Sequence, residues 1–288
     1  MVPQLVATGS ELGLEQRPAT KDKTMPSKDV TIGLIKSESK QLYAPTDYRD
    51  RIVLRETFQK RPVLAATLDP STINQAAQRL LTGANLDWII SGDNAANADS
   101  ALDVDGGIAL ATAGSDNDQI ILSPATAINS VAQSLFGTVE WEPEHAPRFE
   151  AIIELPSLAD VLVHVGLGLT AALDLTTDDD QAKFQLSDEG SVSTTKWTRA
   201  LSIGGTDTEV DLGVTPTADK TIRLGIEINT NRKAQFLIDG LKVGGQTDAL
   251  TAGANLIPFL GIQALAGSAK TIKVREIIVS RLRTPYAA

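Results

Sequence analysis

Short apolar runs of period two, broken by Gly, Asp, Asn and Pro, fill the chain from residue 87 to its end. The clearest run spans residues 221–245, TIRLGIEINTNRKAQFLIDGLKVGG. Ile222, Leu224, Ile226 and Ile228 alternate with Arg223, Gly225 and Glu227, which places four apolar side chains on one face of a strand. Residues 229–231, Asn-Thr-Asn, supply turn chemistry, and Ala234, Phe236 and Ile238 resume the alternation. Asp239-Gly240 is a two-residue hairpin signal, because glycine enters the left-handed region at little cost, and a third short strand follows it. Two hairpins closed within so short a stretch predict an antiparallel sheet.

The same reading predicts strands over 87–91, 107–112, 119–123, 138–141, 148–155, 161–166, 181–186, 208–212, 221–228, 233–238, 258–264 and 271–282. In the last of these, Ile272 and Val274 share one parity while Ile277 and Val279 take the other. The Arg275-Glu276 step between them predicts a bulge or a change of cover. Asp69-Pro70 opens one short helix that ends before Gly83, with Ile73, Ala76, Ala77, Leu80 and Leu81 on one stripe. Residues 1–65 are punctuated by Pro3, Pro18, Pro26, Pro45 and Pro62. They read as an extended N-terminal arm with short strands at 29–35 and 51–55. The expected organisation is an arm over 1–65, a helical connector over 66–85 and a sandwich over 86–288. The fold class is all-β: a two-sheet antiparallel jelly-roll sandwich with an extended N-terminal arm and one short helix.

Composition narrows the chemistry. The 288 residues contain no Cys, which removes disulfides, thiolate metal sites and a Cys nucleophile. A net charge of −10 opposes nucleic-acid binding. Residues 1–65 hold 11 Lys and Arg against 8 Asp and Glu, so the remainder carries −13 and is complementary in sign to the arm. The opening MVPQLVATGSELG lacks the pattern of a secretory signal, and no apolar run is long enough for a membrane span. Synthesis and folding in a reducing cytoplasm are therefore expected.

The stretches DWIISG, PRFEAIIELP, KWTRALSIGG, TIRLGIEINTNRKAQFLIDGLKVGG and TIKVREIIVSRL resemble, in their order, a concanavalin A-like (lectin/glucanase-type) jelly-roll domain over about residues 85–284. The hairpin positions that carry the likeness best are Arg223, Leu224, Ile226, Ile228, Ala234, Phe236, Ile238, Asp239, Gly240 and Val243. The Ala- and Gly-rich, Cys-free style and the stretch from Asp105 to Leu122 resemble the version found in tailed-bacteriophage virion proteins. That resemblance implies a capsid decoration (cement) protein, clamping neighbouring subunits through its arm. Arg49, Arg51, Arg55, Lys60 and Arg61 would then meet acidic patches on the major capsid protein or other virion proteins. Self-association as a dimer or trimer is expected, in a virion made in a host bacterial cytoplasm. The alternative it implies is a glycan-binding attachment or fibre module, with a polysaccharide hydrolase third.

Candidate chemistry is sparse, and the expectation is a protein that is not an enzyme, with no catalytic, cofactor or metal residues assigned. Jelly-roll glycosidases carry three acids spaced E-x-D-x-E on one strand face. Glu140, Glu142 and Glu144 have that period, but Pro143 sits among them; Glu209 and Asp211 have it, but the next position is Gly213. His145 lies in a Pro-flanked turn. His164, between Val163 and Val165, faces away from both, toward solvent or a sheet surface. No nucleophile elbow accompanies either histidine. Loop acids at Asp93, Asn94, Asp99, Asp103 and Asp105, at 116–118 and at 178–180 offer hard oxygen ligands of the kind Ca²⁺ uses, without a specific spacing. Trp88, Trp141 and Trp197 could stack on sugars, but their scattered strand positions favour the core.

Overall fold

The computed structural model describes residues 50–64, 85–125, 135–245 and 248–284. The first sheet runs in the order β14 (Leu241–Gly245), β13 (Ala234–Ile238), β12 (Thr221–Ile228), β7 (Arg148–Glu154), β16 (Thr271–Leu282), β5 (Ile108–Ala111) and β4 (Ser100–Leu102). The second runs β11 (Thr206–Val214), β10 (Trp197–Ile203), β9 (Asp180–Ser187), β8 (Val161–Gly168), β15 (Ile257–Ala264), β6 (Gln119–Pro124), β3 (Asn85–Ser91) and β2 (Pro62–Leu64). All pairings are antiparallel except β2 with β3. The expected jelly-roll sandwich is therefore what the chain forms.

The alternation read from the sequence decides which side chains meet between the sheets. Ile226 and Phe236 from one sheet and Val163, Val165 and Phe184 from the other are fully buried in one apolar cluster. Phe184 and Phe236 stand edge to face across it, with centroids 5.1 Å apart. With few aromatics available, the cluster is built mainly from Ile, Val, Leu and Ala.

β16 takes three neighbours. β7 lies along one side; on the other, β5 pairs with Thr271–Val274 and β1 (Arg51–Glu56) with Ile277–Leu282. The register against β7 slips between Val274 and Glu276. This is the bulge that the parity change predicts, and it lets Ile272, Val274, Ile277 and Val279 all be fully buried. Arg275, set loose by the bulge, turns outward and donates to Asp103 (2.9 Å) and Glu154 (3.0 Å). Gly107 lies against the same bulge at φ +81, where an added Cβ would sit 2.1 Å from the Val274 carbonyl oxygen.

Three expectations need correction. Residues 138–141 do not form a strand: a short helix, α1 (Leu135–Thr138), precedes a single bridge between Trp141 and Leu256. Residues 51–64 are not a separate arm, since β1 and β2 are members of the sheets, Leu54 lies in the core, and Phe58 packs its ring 5.9 Å from Trp88. Arg51 is buried, donating to Ser280 Oγ (3.1 Å) and the Ala146 carbonyl (2.6 Å), so its charge serves the fold. Arg55 is spent on an ion pair with Glu276. Lys60 and Arg61 are exposed, with Arg61 reaching the Asn97 carbonyl at 3.4 Å. Arg49, the strand expected at 29–35 and the helix expected between Asp69 and Gly83 lie outside the described residues. Among the described residues no helix is long and apolar enough to cross a membrane.

Two outcomes follow. Gly107→Ala adds a Cβ into the bulge and a side chain at positive φ. It should cost about 2–4 kcal/mol by denaturant unfolding; an unchanged midpoint would mean the bulge is not a constraint. Glu150, on the outward face of β7, has a side chain only 3 % exposed despite its ion pair with Arg223 at 3.2 Å. Burial first, opposed by Arg223 and reinforced by Glu276, pushes its carboxyl up to about 7. An acid raised in the folded state binds protons that the unfolded chain has released, so stability is lost as pH rises from about 4.5 to about 7. Glu150→Gln should therefore melt higher than the parent at pH 8, by about 2–3 kcal/mol, and equally at pH 4. A lower melting point at pH 8 would show that the Arg223 pair outweighs desolvation.

Candidate functional site

The inward residues of β8, β9 and β15 fill the core, so His164, Gln185, Lys183, Phe259, Gly261 and Gln263 point outward by the same alternation. A groove of about 780 Å³ crosses this outward face. Gln119 and Gln263 line one end, Leu162, His164 and Gln185 the middle, and Asp207, Thr208 and Glu209 the other end. Leu173, Asp174, Leu175 and Thr176 line it from the segment after β8, and Ser191 and Val192 from the loop after β9.

A chain of hydrogen bonds ties its floor together. The Glu209 carboxylate accepts from Gln185 Nε2 (3.3 Å) and Ser191 Oγ (3.2 Å). That fixes the Gln185 amide with its oxygen toward His164, whose Nε2–H donates to it at 2.9 Å. His164 Nδ1 is buried and makes no well-formed hydrogen bond. Burial first, then the Lys183 ammonium, holds the imidazole well below its ordinary pKa, against weaker contributions from Gln185 and the Ala172 backbone. The ring is therefore neutral near pH 7. At the other end, Gln119 Nε2 donates to Gln263 Oε1 (3.1 Å) and Gln263 Nε2 to Asn117 Oδ1 (2.8 Å).

Lys183 lies beside the groove, fully buried. Its Nζ donates to the Asp174 carbonyl at 3.2 Å and stands 5.9 Å from the Phe259 ring centroid. Desolvation lowers its pKa to about 8, opposed by Asp178, Asp174, Asp207 and Glu209.

The acid pattern around Glu209 and Asp211 extends toward the N-terminus. Counting from Glu209 leads to Gly213; counting back adds Asp207 and gives D-x-E-x-D over residues 207–211. Their partners on β10 are Ser202, Ala200 and Thr198, so all three carboxylates share the outward face. Asp211 is occupied by Lys196 Nζ (3.0 Å) and the Gly213 N–H (2.6 Å), while Asp207 and Glu209 line the groove. The period-two acids were sufficient to find this face.

The other candidates serve the fold. Residues 143–145 form a 3-10 turn, with Glu144 accepting from the Gly253 N–H at 2.8 Å. His145 is buried, with Nδ1 2.9 Å from the Leu282 carbonyl oxygen. Asp118 is taken up by Asn94 (2.5 Å) and the Ser115 N–H (2.6 Å), and Asp178 by Thr170 (2.7 and 2.8 Å). Among the described residues no group of three His, Cys, Asp or Glu could hold a metal ion. Trp88, Trp141 and Trp197 are each at most 1 % exposed, so none offers a stacking platform.

No family model matches the chain, and no curated protein matches it. Solved structures of similar architecture include the carbohydrate recognition domain of Emp47p, at 9 % identity and a TM-score of 0.49, covering 69 % of this chain and 90 % of that one. A glycosyl hydrolase family protein from Mycobacterium fortuitum is similar at 12 % identity and 0.49, covering 78 % and 98 %. The β-glucanase of Bacillus licheniformis is similar at 11 % and 0.46, covering 68 % and 92 %. At such identities and TM-scores the likeness concerns the sandwich architecture alone. The expectation of a non-enzyme is withdrawn, since a glycosyl hydrolase family protein and a β-glucanase stand among these structures beside a carbohydrate recognition domain.

The buried amine gives a measurable signature. A base whose pKa falls on folding is protonated more fully in the unfolded chain, so stability rises as pH climbs from about 8 to about 10.5. The increment should be on the order of 3 kcal/mol and absent from Lys183→Met, by chemical denaturation across that range. The same rise in parent and variant would assign it to other groups.

Proposed function

We propose that the groove binds a neutral, hydroxyl-rich carbohydrate chain lying across the strands of the second sheet. The observation that carries this reading is the floor itself: Glu209, Gln185 and His164 joined by directed hydrogen bonds within a groove of about 780 Å³. Sugar rings present hydroxyls around the edge and C–H bonds on the faces. Carboxylate and amide groups suit the first, and Leu162 and Val192 suit the second. Asp174, Asp207 and Glu209 make the groove negative, because the Lys183 ammonium is turned into the segment that covers it. Uronic or sulfated chains are disfavoured on that ground.

This reading places the glycan-binding module ahead of the cement protein. Arg51 and Arg55, two of the five cations assigned to the clamp, are committed to internal contacts. The setting remains part of the proposal: an attachment module of a virion, assembled as a dimer or trimer and made in a bacterial cytoplasm.

Calorimetric titration with neutral hexose oligosaccharides of increasing length, with product analysis for cleavage, tests the site. Binding should strengthen with length. Asp207→Asn and Glu209→Gln should each weaken it about 10-fold, or about 1.4 kcal/mol, with melting temperatures preserved. Preference for anionic chains, or indifference to both substitutions, would contradict the reading.

A further inference from the structure

The middle of the outward face is covered by the chain itself. All eight residues of β9 are buried, including the outward Gln181 and Lys183, which in a bare sheet face would meet water. The cover is the irregular segment 169–178. Leu173 packs there on Ile121 and Phe259, in a small apolar cluster separate from the main core. Gln181 Nε2 donates to the Leu175 carbonyl and Lys183 Nζ to that of Asp174.

The floor is shaped to receive this segment. A Cβ on Gly261 would lie 2.8 Å from Leu173 Cδ2, and one on Gly168 would lie 2.7 Å from Asp178 Oδ2. Yet the attachment runs through side chains. Among the described residues no main-chain to main-chain hydrogen bond joins 169–178 to the sheet. It is held by Leu173 with Ala171 beside it, by Leu169 against the main core, by two side-chain donors, by the Ala172 backbone beside His164, and by a clasp in which Asp178 accepts from the Thr170 N–H and Oγ.

We propose that residues 169–178 are a movable strap occupying the seat of a ligand, and that lifting it exposes a second carbohydrate-contacting surface over Phe259 and Lys183, continuous with the groove. The seat has what a sugar site needs: an aromatic ring, two donors and a glycine floor that permits close approach. The carbohydrate part of this inference rests on the groove reading above; the movement of the strap does not.

Protons act on the same equilibrium. The strap covers two bases, Lys183 and His164, and burial beneath it lowers the pKa of both. The charged groups around them are Asp174 and Asp178 on the strap and Asp207 and Glu209 on β11. The closed form binds fewer protons, so acidification favours release.

The test is the rate at which an amine-acylating reagent modifies Lys183 in the full chain, with exposed Lys242 as internal standard. Leu173→Ser removes the apolar plug and Asp178→Asn weakens the clasp. Both should accelerate Lys183 acylation at least about 10-fold relative to Lys242; no acceleration in either overturns the strap. In parallel, Leu173→Ser should gain about 10-fold in affinity for the longest neutral oligosaccharides while the shortest bind as before. Faster acylation without that gain would overturn the second surface and leave the groove standing. Failure of parent and variant to bind any neutral chain would count against the groove reading, with the acylation rates still deciding the movement.

Discussion

The bulge at Arg275 is the constraint on which the sandwich depends. Among the described residues β16 alone pairs with three strands, and it buries apolar residues on both sides of Arg275 only because an extra residue resets its parity. Without the reset, Ile277 and Val279 would face outward whenever Ile272 and Val274 faced in. The extra residue is then put to use. Arg275 and Lys273 are held by Asp103 and Glu154, which fastens the short β4–β5 end to the central strands. Gly107 gives the bulge room.

The second sheet has a different economy. Its inward face is apolar and closed, while its outward face carries amides, an imidazole, an amine and carboxylates in rows that cross the strands. Such a face would suit a solvated surface, yet much of it is buried. Part is buried because hydrogen bonds bind the polar groups to one another, and part because residues 169–178 lie over it. A polar floor with a removable cover is costly to keep without a ligand, since Lys183 and His164 would each be better solvated in the open. That cost ties the groove and the strap into one account.

Much of the fold was legible in the sequence because sheet alternation is a local property. The strands at 221–228 and 271–282 and the bulge follow from parity and turn residues. Residues 138–141 carry a strand-like pattern without forming a strand, because Trp141 reaches the core from an isolated bridge. Residues 51–64 looked like an arm because strands this short are held by partners far along the chain, which no local pattern shows. The site was half legible. His164 was placed on the correct face, and the acids of β11 were visible at period two. What buries His164 and Lys183 is a loop with no periodicity of its own, so its role depends on a tertiary contact.

The most direct measurement is a crystal structure of the protein with a bound neutral oligosaccharide. The account predicts sugar rings laid across the strands of the second sheet, with hydroxyls on Asp207 and Glu209 and ring faces against Leu162 and Val192. Rings bound at the loop ends of the sandwich or on the first sheet, with the groove empty, would contradict it.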